Sequence, residues 1–375
     1  MTDYLDIDIS KIDFIRGNTP DNIKETCLNL CKDYLADIWL NITIDDMEFK
    51  RLSGGLTNQL YYCAIKQCDN DNNNKEIKSP IEVAIRLYES KHFNNYDNKG
   101  YERLTDTVVA LMVSQNKLGP KIYGMFEKGQ IQKYYKHRQF RVDEQNNPKL
   151  VSELATKLAQ IHAMDVPIKK SNNWIFETFD RSYEEANNLF DLKALYDECN
   201  CQTLKGHELI DEIQWLKDTI TSLDSPIAFT HVDFRGSNIM VTDEDGIILC
   251  DFEYSCYDYR GCDFGTLFAE WGKNFLDFLK PQDFPNDEIF KPFIDIYINE
   301  MTRLKGNVFT DDKRNTFEHI LKEGKVFALA SNMFFIVMTL KQNESVIPDI
   351  TFDKNQEMKF SEFFPNNDTN NLFKA

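Results

Sequence analysis

The sequence has no apolar run long enough to cross a bilayer. Its longest, Val326 to Leu340, is broken at Ser331, Asn332 and Thr339. That is short of the roughly 20 residues a membrane helix needs, so a buried core helix is expected. The opening MTDYLDIDIS lacks the basic-then-apolar pattern of a secretory leader, which points to a cytoplasmic chain without stable membrane insertion. Basic residues are in deficit: 43 Lys and Arg against 61 Asp and Glu leave a net charge of −18. Nucleic-acid binding needs basic patches, so no nucleic-acid partner is expected. An acidic surface serves solubility and also steers cations inward. Zinc-type spacing is missing too. Cys27 and Cys31 stand one helical turn apart, Cys199 and Cys201 flank a single Asn, and no histidine cluster joins them. Free thiols in a reducing compartment are the expectation for the nine cysteines. There is no internal repeat.

What is present is enough chain for two lobes: 375 residues exceed one small core. Residues 1–135 hold short strand candidates, among them Leu60–Ile65 and Ile81–Leu87, separated by the polar insertion Asp69–Pro80. They also hold one clear helix, Tyr101–Gln115, with Leu104, Val108, Leu111 and Met112 at helical spacing. LGP (Leu118–Pro120) stops that helix, and KIYGMF and QIQKYY form a hairpin around Glu127–Gly129. The second lobe is expected over residues 136–375; after residue 150 the pattern turns helical, beginning with the stripe Val151, Leu154, Leu158 and Ile161. A β-rich island at Ile227–Asp251 contains IAFT, NIMV and IILC, the last two joined across Asp245-Gly246. Strands, then helices with a small inserted sheet, predict a two-lobed α+β protein.

The chemistry concentrates in THVDFRGSNIMVTDEDGIILCDFEYS, residues 230–255. A loop Asp (Asp233), an Asn five residues on (Asn238) and an Asp after a hairpin (Asp251) form the set used for phosphoryl transfer in kinases. The reaction needs a carboxylate to orient the attacking hydroxyl and take its proton, and oxygen ligands for Mg²⁺. Asp233 is the candidate base; Asn238 and Asp251 are the candidate metal ligands. His231 is expected to pack behind the loop.

The motifs then become specific. DFEYSCYDYRGCDFGTLFAEW (Asp251–Trp271) resembles the choline/ethanolamine kinase signature. HVDFRGSN resembles the preceding motif of that family and of the wider aminoglycoside-phosphotransferase group. LSGGLTNQLY (Leu52–Tyr61), AIRLY (Ala84–Tyr88) and LGPKIYGMF (Leu118–Phe126) resemble three more, in order, from about residue 52 to 271. The resemblance implies a protein-kinase-like fold with a small β-rich N-terminal lobe and a larger helical C-terminal lobe. It implies ATP and Mg²⁺ as cofactors, an amino alcohol as substrate, phospholipid biosynthesis as context and a homodimer.

On this resemblance Ser53, Gly54, Gly55, Thr57 and Asn58 cover the ATP phosphates, with glycines letting backbone N–H groups approach them. Arg86 takes the place of the strand lysine of protein kinases. Its acidic partner is Asp106 or, one turn earlier, Glu102. Gln132 to Tyr134 present backbone groups to adenine. Glu253 is a further metal-ligand candidate. Val232 and Arg235 replace the family's usual Asn and Gln, and Arg235 is placed to bind phosphate or pair with an acid.

For the substrate, the family cages a quaternary ammonium with aromatic rings and an acid. Glu270 is the acid, with Asp233, Trp271 and Phe275 beside it. Phe335 and Met338 stand where the family has tryptophans, and an expected tyrosine falls near Glu357 or Phe360. The implied activity is phosphorylation of choline, or of ethanolamine, by ATP. The alternatives are a kinase of the same fold for another small cationic or hydroxylated molecule, and a non-catalytic binding protein.

Overall fold

The computed structural model describes residues 19–52, 58–66, 79–88, 99–170, 173–198, 208–273 and 284–341. They divide into two compact units: the described residues up to Arg103 with Pro120–Lys136, and Leu104–Gly119 with those from His137 on.

The first unit is an antiparallel sheet of β1 (Met47–Leu52), β2 (Asn58–Ile65), β3 (Glu82–Tyr88), β4 (Ile122–Phe126) and β5 (Gly129–Lys133), in the order β1-β2-β3-β5-β4. Period-2 alternation sends Tyr61, Cys63, Val83, Ile85 and Ile131 to one buried face. Besides the helix expected from periodicity, the chain forms α1 (Ile23–Leu35), whose stripe Ile23, Cys27, Leu28, Cys31 and Leu35 covers that face together with Trp39. Cys27, Cys31 and Cys63 are buried free thiols. The hydrogen bond to Cys63, and then burial, push the Cys27 thiol up, so it stays protonated at neutral pH.

Helix α2 (Lys99–Gln115) leads into the second unit. Its buried line is Val109 and Val113, while Leu104 and Leu111, expected on an apolar face, are exposed. Seven residues apart, those two share the opposite side of the helix from Val109. After β6 (His137–Gln139) come α3 (Pro148–Ala163), α4 (Trp174–Leu189), α5 (Leu192–Glu198) and α6 (Leu209–Leu223). Asn147 starts α3 by accepting from the Lys149 and Leu150 N–H groups ahead of Pro148 at the first helical position. Its expected stripe, Val151, Leu154, Leu158 and Ile161, is buried.

The island resolves into two sheets. Strands β8 (Ile239–Thr242) and β9 (Ile247–Leu249) pair across the Asp245-Gly246 turn, and β6 joins the β8 edge. Strand β7 (Ile227–Thr230) pairs instead with β10 (Cys256–Tyr259). Helices α7 (Gly261–Ala269), α8 (Asp287–Lys305), α9 (Asn307–Thr310) and α10 (Phe317–Lys341) complete the unit.

Helices α7 and α10 press together through glycines. A Cβ at Gly261 or Gly265 would collide with Phe327, and one at Gly324 with the Phe268 ring. A buried bidentate pair locks the contact: Arg260 Nε and Nη2 donate to Glu323 Oε2 and Oε1 at 2.8 and 2.9 Å. The run Val326–Leu340 lies in α10, largely buried with Phe335 exposed, and no helix among the described residues is long and apolar enough to cross a membrane.

Candidate active site

The loop from β7 to β8 is held from behind. His231 is fully buried; its Nε2 donates to the Cys250 carbonyl at 2.9 Å and its ring lies 4.5 Å from that of Phe252. That is the packing role expected for it. The buried Asp263 of α7 accepts from the backbone N–H groups of His231 (2.9 Å) and Val232 (2.6 Å), and its Oδ2 lies 3.0 Å from His162 Nε2. His162 Nδ1 in turn meets the Tyr297 hydroxyl at 2.8 Å. Thr266 Oγ1 donates to the Val232 carbonyl at 3.2 Å. Both backbone groups of Val232 are therefore fixed to α7 in the left-handed region, φ +72°.

This clamp aims Asp233. Asn238 Nδ2 donates to its Oδ2 at 2.6 Å and to its carbonyl at 3.0 Å, and Arg235 Nε stands 3.0 Å from its Oδ1. Asn238 lies on the short 3-10 turn Gly236–Asn238, fixed to the next strand by the Cys250 N–H on its carbonyl. Gly236 is required here because a Cβ would sit 2.8 Å from the Phe140 carbonyl oxygen. Asp251, left-handed at φ +63°, precedes the 3-10 turn Phe252–Tyr254 that carries Glu253.

Arg235 also faces Glu270 at the end of α7, Nη1 to Oε1 at 3.6 Å. Burial works against the guanidinium charge, but Asp233, Glu270 and Asp251 outweigh it and raise its pKa. Burial and Asp233 push the Glu270 carboxyl up against the pull of Arg235. Tyr254 stays a neutral phenol: burial raises it well above the ordinary value, and Glu253, Asp233 and Asp251 raise it further. Its ring lies 5.9 Å from that of Trp174, which lies 5.8 Å from Phe334 on α10.

The other expected substrate residues fall as follows. Trp271 is buried against Phe290 and Phe293. Met338 is buried and accepts the Ser182 hydroxyl at 3.2 Å. Phe335 is exposed. Phe275, Glu357 and Phe360 lie outside the described residues, as do Ser53, Gly54, Gly55 and Thr57.

In the first unit Arg86 stands opposite Leu60 on β2 and Gln130 on β5, on the face away from Val83 and Ile85. The same face carries Gln132, opposite Ala84, which accepts from Gln130 Nε2 at 2.8 Å. Asn58 opens β2 opposite Tyr88, and Tyr134 follows β5 with its ring 4.5 Å from Tyr62. Asp106 lies on α2 in the second unit. The Glu102 side chain lies outside the described residues.

A family model for choline/ethanolamine kinases matches residues 49–364. The chain belongs to the choline/ethanolamine kinase family. It is 31% identical over 324 residues to a human choline/ethanolamine kinase, covering 83% of this chain and 78% of that protein. Among solved structures, a choline kinase from Cryptosporidium parvum Iowa II superposes with TM-score 0.62 at 20% identity, covering 84% of this chain and 89% of that one. A Plasmodium vivax ethanolamine kinase gives TM-score 0.62 at 22% identity, covering 89% and 86%. These likenesses place the chain in the kinase-like α+β fold. As a member of the family it is an ATP-dependent kinase that phosphorylates an alcohol.

The donor chemistry of the loop suits a magnesium ion shared with nucleotide. Asn238 spends its amide hydrogens on Asp233, which leaves its side-chain carbonyl oxygen, a hard donor of the type Mg²⁺ takes. Among the described residues no three His, Cys, Asp or Glu side chains converge to cage a metal by themselves. Two residues that the structure brings to this loop were not singled out in the sequence. Asp263 lies within the YRGCDFG stretch of the quoted signature, and Tyr254 is the last aromatic of its opening DFEY.

Proposed function

We propose that this family member transfers the γ-phosphate of ATP to the hydroxyl of choline, with ethanolamine as the second substrate, and so supplies phospho-amino alcohols for phospholipid synthesis. The arrangement of Asp233 carries the reading: a half-buried carboxylate oriented by Asn238, with Glu270 within reach of the same Arg235. Asp233 accepts the hydroxyl proton as the new O–P bond forms, the bond from the γ-phosphorus to the β,γ-bridging oxygen breaks, and ADP leaves. Asn238 and Asp251 would hold Mg²⁺, which supplies charge neutralisation on the phosphates. Arg86 would steady the ATP phosphates from its strand.

Glu270 offers the ammonium a negative charge. The rings of Tyr254, Trp174 and Phe334 favour choline, since a quaternary ammonium donates no hydrogen bond from nitrogen and is recognised by aromatic faces. The expectation is Mg²⁺-dependent ADP release with choline, and weaker release with ethanolamine at matched concentration. Asp233→Ala should lower kcat by about 10³-fold with ATP binding retained. Near-normal turnover in that variant would sink the assignment.

A further inference from the structure

Arg235 stands between the two carboxylates the reaction needs. Its guanidinium lies 3.0 Å from Asp233 and 3.6 Å from Glu270, and all three side chains are largely withdrawn from solvent, at 24, 26 and 36% exposure. Glu270, the acid proposed above to attract the substrate's ammonium, thus already faces a cation of the chain itself. Lys273, three residues on, also feels the Glu270 carboxylate, which raises its pKa against the larger effect of burial.

We propose that Arg235 is a resident cation of the substrate pocket, one the ammonium group must displace from Glu270, and that it thereby sets amine affinity and selectivity. The inference rests on the reading of the site as an amino-alcohol kinase. Three physical points carry it. Two cations cannot share one half-buried carboxylate without mutual repulsion, so amine binding and the Arg235–Glu270 contact compete. The released guanidinium remains beside Asp233, where a planar five-donor group can meet the incoming phosphoryl oxygens. A primary ammonium replaces the lost guanidinium with hydrogen bonds of its own to Glu270, whereas a quaternary one brings charge alone. The exchange therefore disfavours choline more than ethanolamine.

The test measures amine dissociation constants by calorimetry, and steady-state kcat and KM from ADP release, for the wild type, Arg235→Gln and Arg235→Lys. In Arg235→Gln, choline should bind about fivefold tighter and ethanolamine about twofold tighter, the fold-change expected when a half-exposed ion pair is removed. In the same variant kcat should fall about 10²-fold, the cost of a lost donor at the developing charge. This split, tighter binding with slower turnover, is not produced by a merely structural role, which weakens both. Arg235→Lys keeps a cation and should hold amine affinity near wild type. In a Glu270→Gln background, Arg235→Gln should no longer tighten binding. Unchanged or weaker choline binding in Arg235→Gln, with an active wild type, overturns the inference alone. A wild type that turns over neither amine overturns the reading of the site, and the inference with it.

Discussion

Val232 shows what one residue contributes to this site. A β-branched side chain at φ +72° carries strain of about 1–3 kcal/mol, and it persists because Asp263 and Thr266 hold the backbone on both sides. Asn tolerates the left-handed region far better. Val232→Asn should therefore stabilise the protein by about 1 kcal/mol in urea denaturation, with kcat within about twofold of wild type because the Asp263 clamp is intact. A destabilised variant would show that Val232 packs for a purpose the backbone angle does not reveal. At this scale the sequence was most informative where chemistry dictates residue type. Asp233, Asn238 and Asp251 stand out as candidates from order and spacing because phosphoryl transfer leaves few substitutes, and the structure joins Asn238 to Asp233 directly. Val232 could be seen as a departure from the family, but its strain could not, since a backbone angle held by a partner 31 residues away leaves no local mark. Asp263 was hidden for the same reason. A buried acid bonded to a distant loop looks, in sequence, like any acid on a helix.

Elements were legible where one face carries a clean period. The stripe of α3 is buried as expected, the apolar run of α10 is buried along Phe327, Ala328, Ala330, Met333, Val337, Met338 and Leu340 but not at Phe335, and the DG turn joins β8 to β9. Legibility failed where an element's partner is remote. Strand β7 finds β10 only after the chain has passed through all three metal-ligand candidates, and α2 buries Val109 and Val113 instead of the line through Leu104 and Leu111. Helix α4 gives a measurable case. Its own N-cap residue, Asn173, makes no side-chain cap bond; the buried Asp258 of β10 accepts the Ile175 N–H at 3.0 Å and the Tyr259 N–H at 2.7 Å. Burial pushes Asp258 up to about 6 despite those bonds. The folded state therefore binds a proton more readily than the unfolded chain between pH 4 and 6. Stability from this group is fullest below the unfolded value and falls as pH rises through about 6, by up to about 3 kcal/mol in all. Asp258→Asn removes the titration. The difference in unfolding free energy, wild type minus variant, should fall between pH 4 and pH 7 and be flat above. A difference independent of pH would mean that Asp258 is ionised throughout.

For the whole molecule the governing quantity is charge. A net −18 says nothing of fold, but it sets a long-range field, and the candidate site adds Asp233, Asp251, Glu253 and Glu270 with Arg235 as local counter-charge. The two readings of that acidity, solubility or attraction of a cationic substrate, make different claims about salt. If the field draws in the amine, raising NaCl from about 20 to about 300 mM should raise the KM for choline by about threefold, because the Debye length shrinks to about 6 Å and only the nearest carboxylates still act. MgATP is anionic and is repelled by the same field, so its KM should hold steady or fall. The neutral carbon isostere 3,3-dimethylbutanol has the shape of choline without its charge, and its KM should be indifferent to salt. Equal salt responses for the charged and the neutral alcohol would assign the excess acid to solubility and leave recognition to the residues within contact of the substrate.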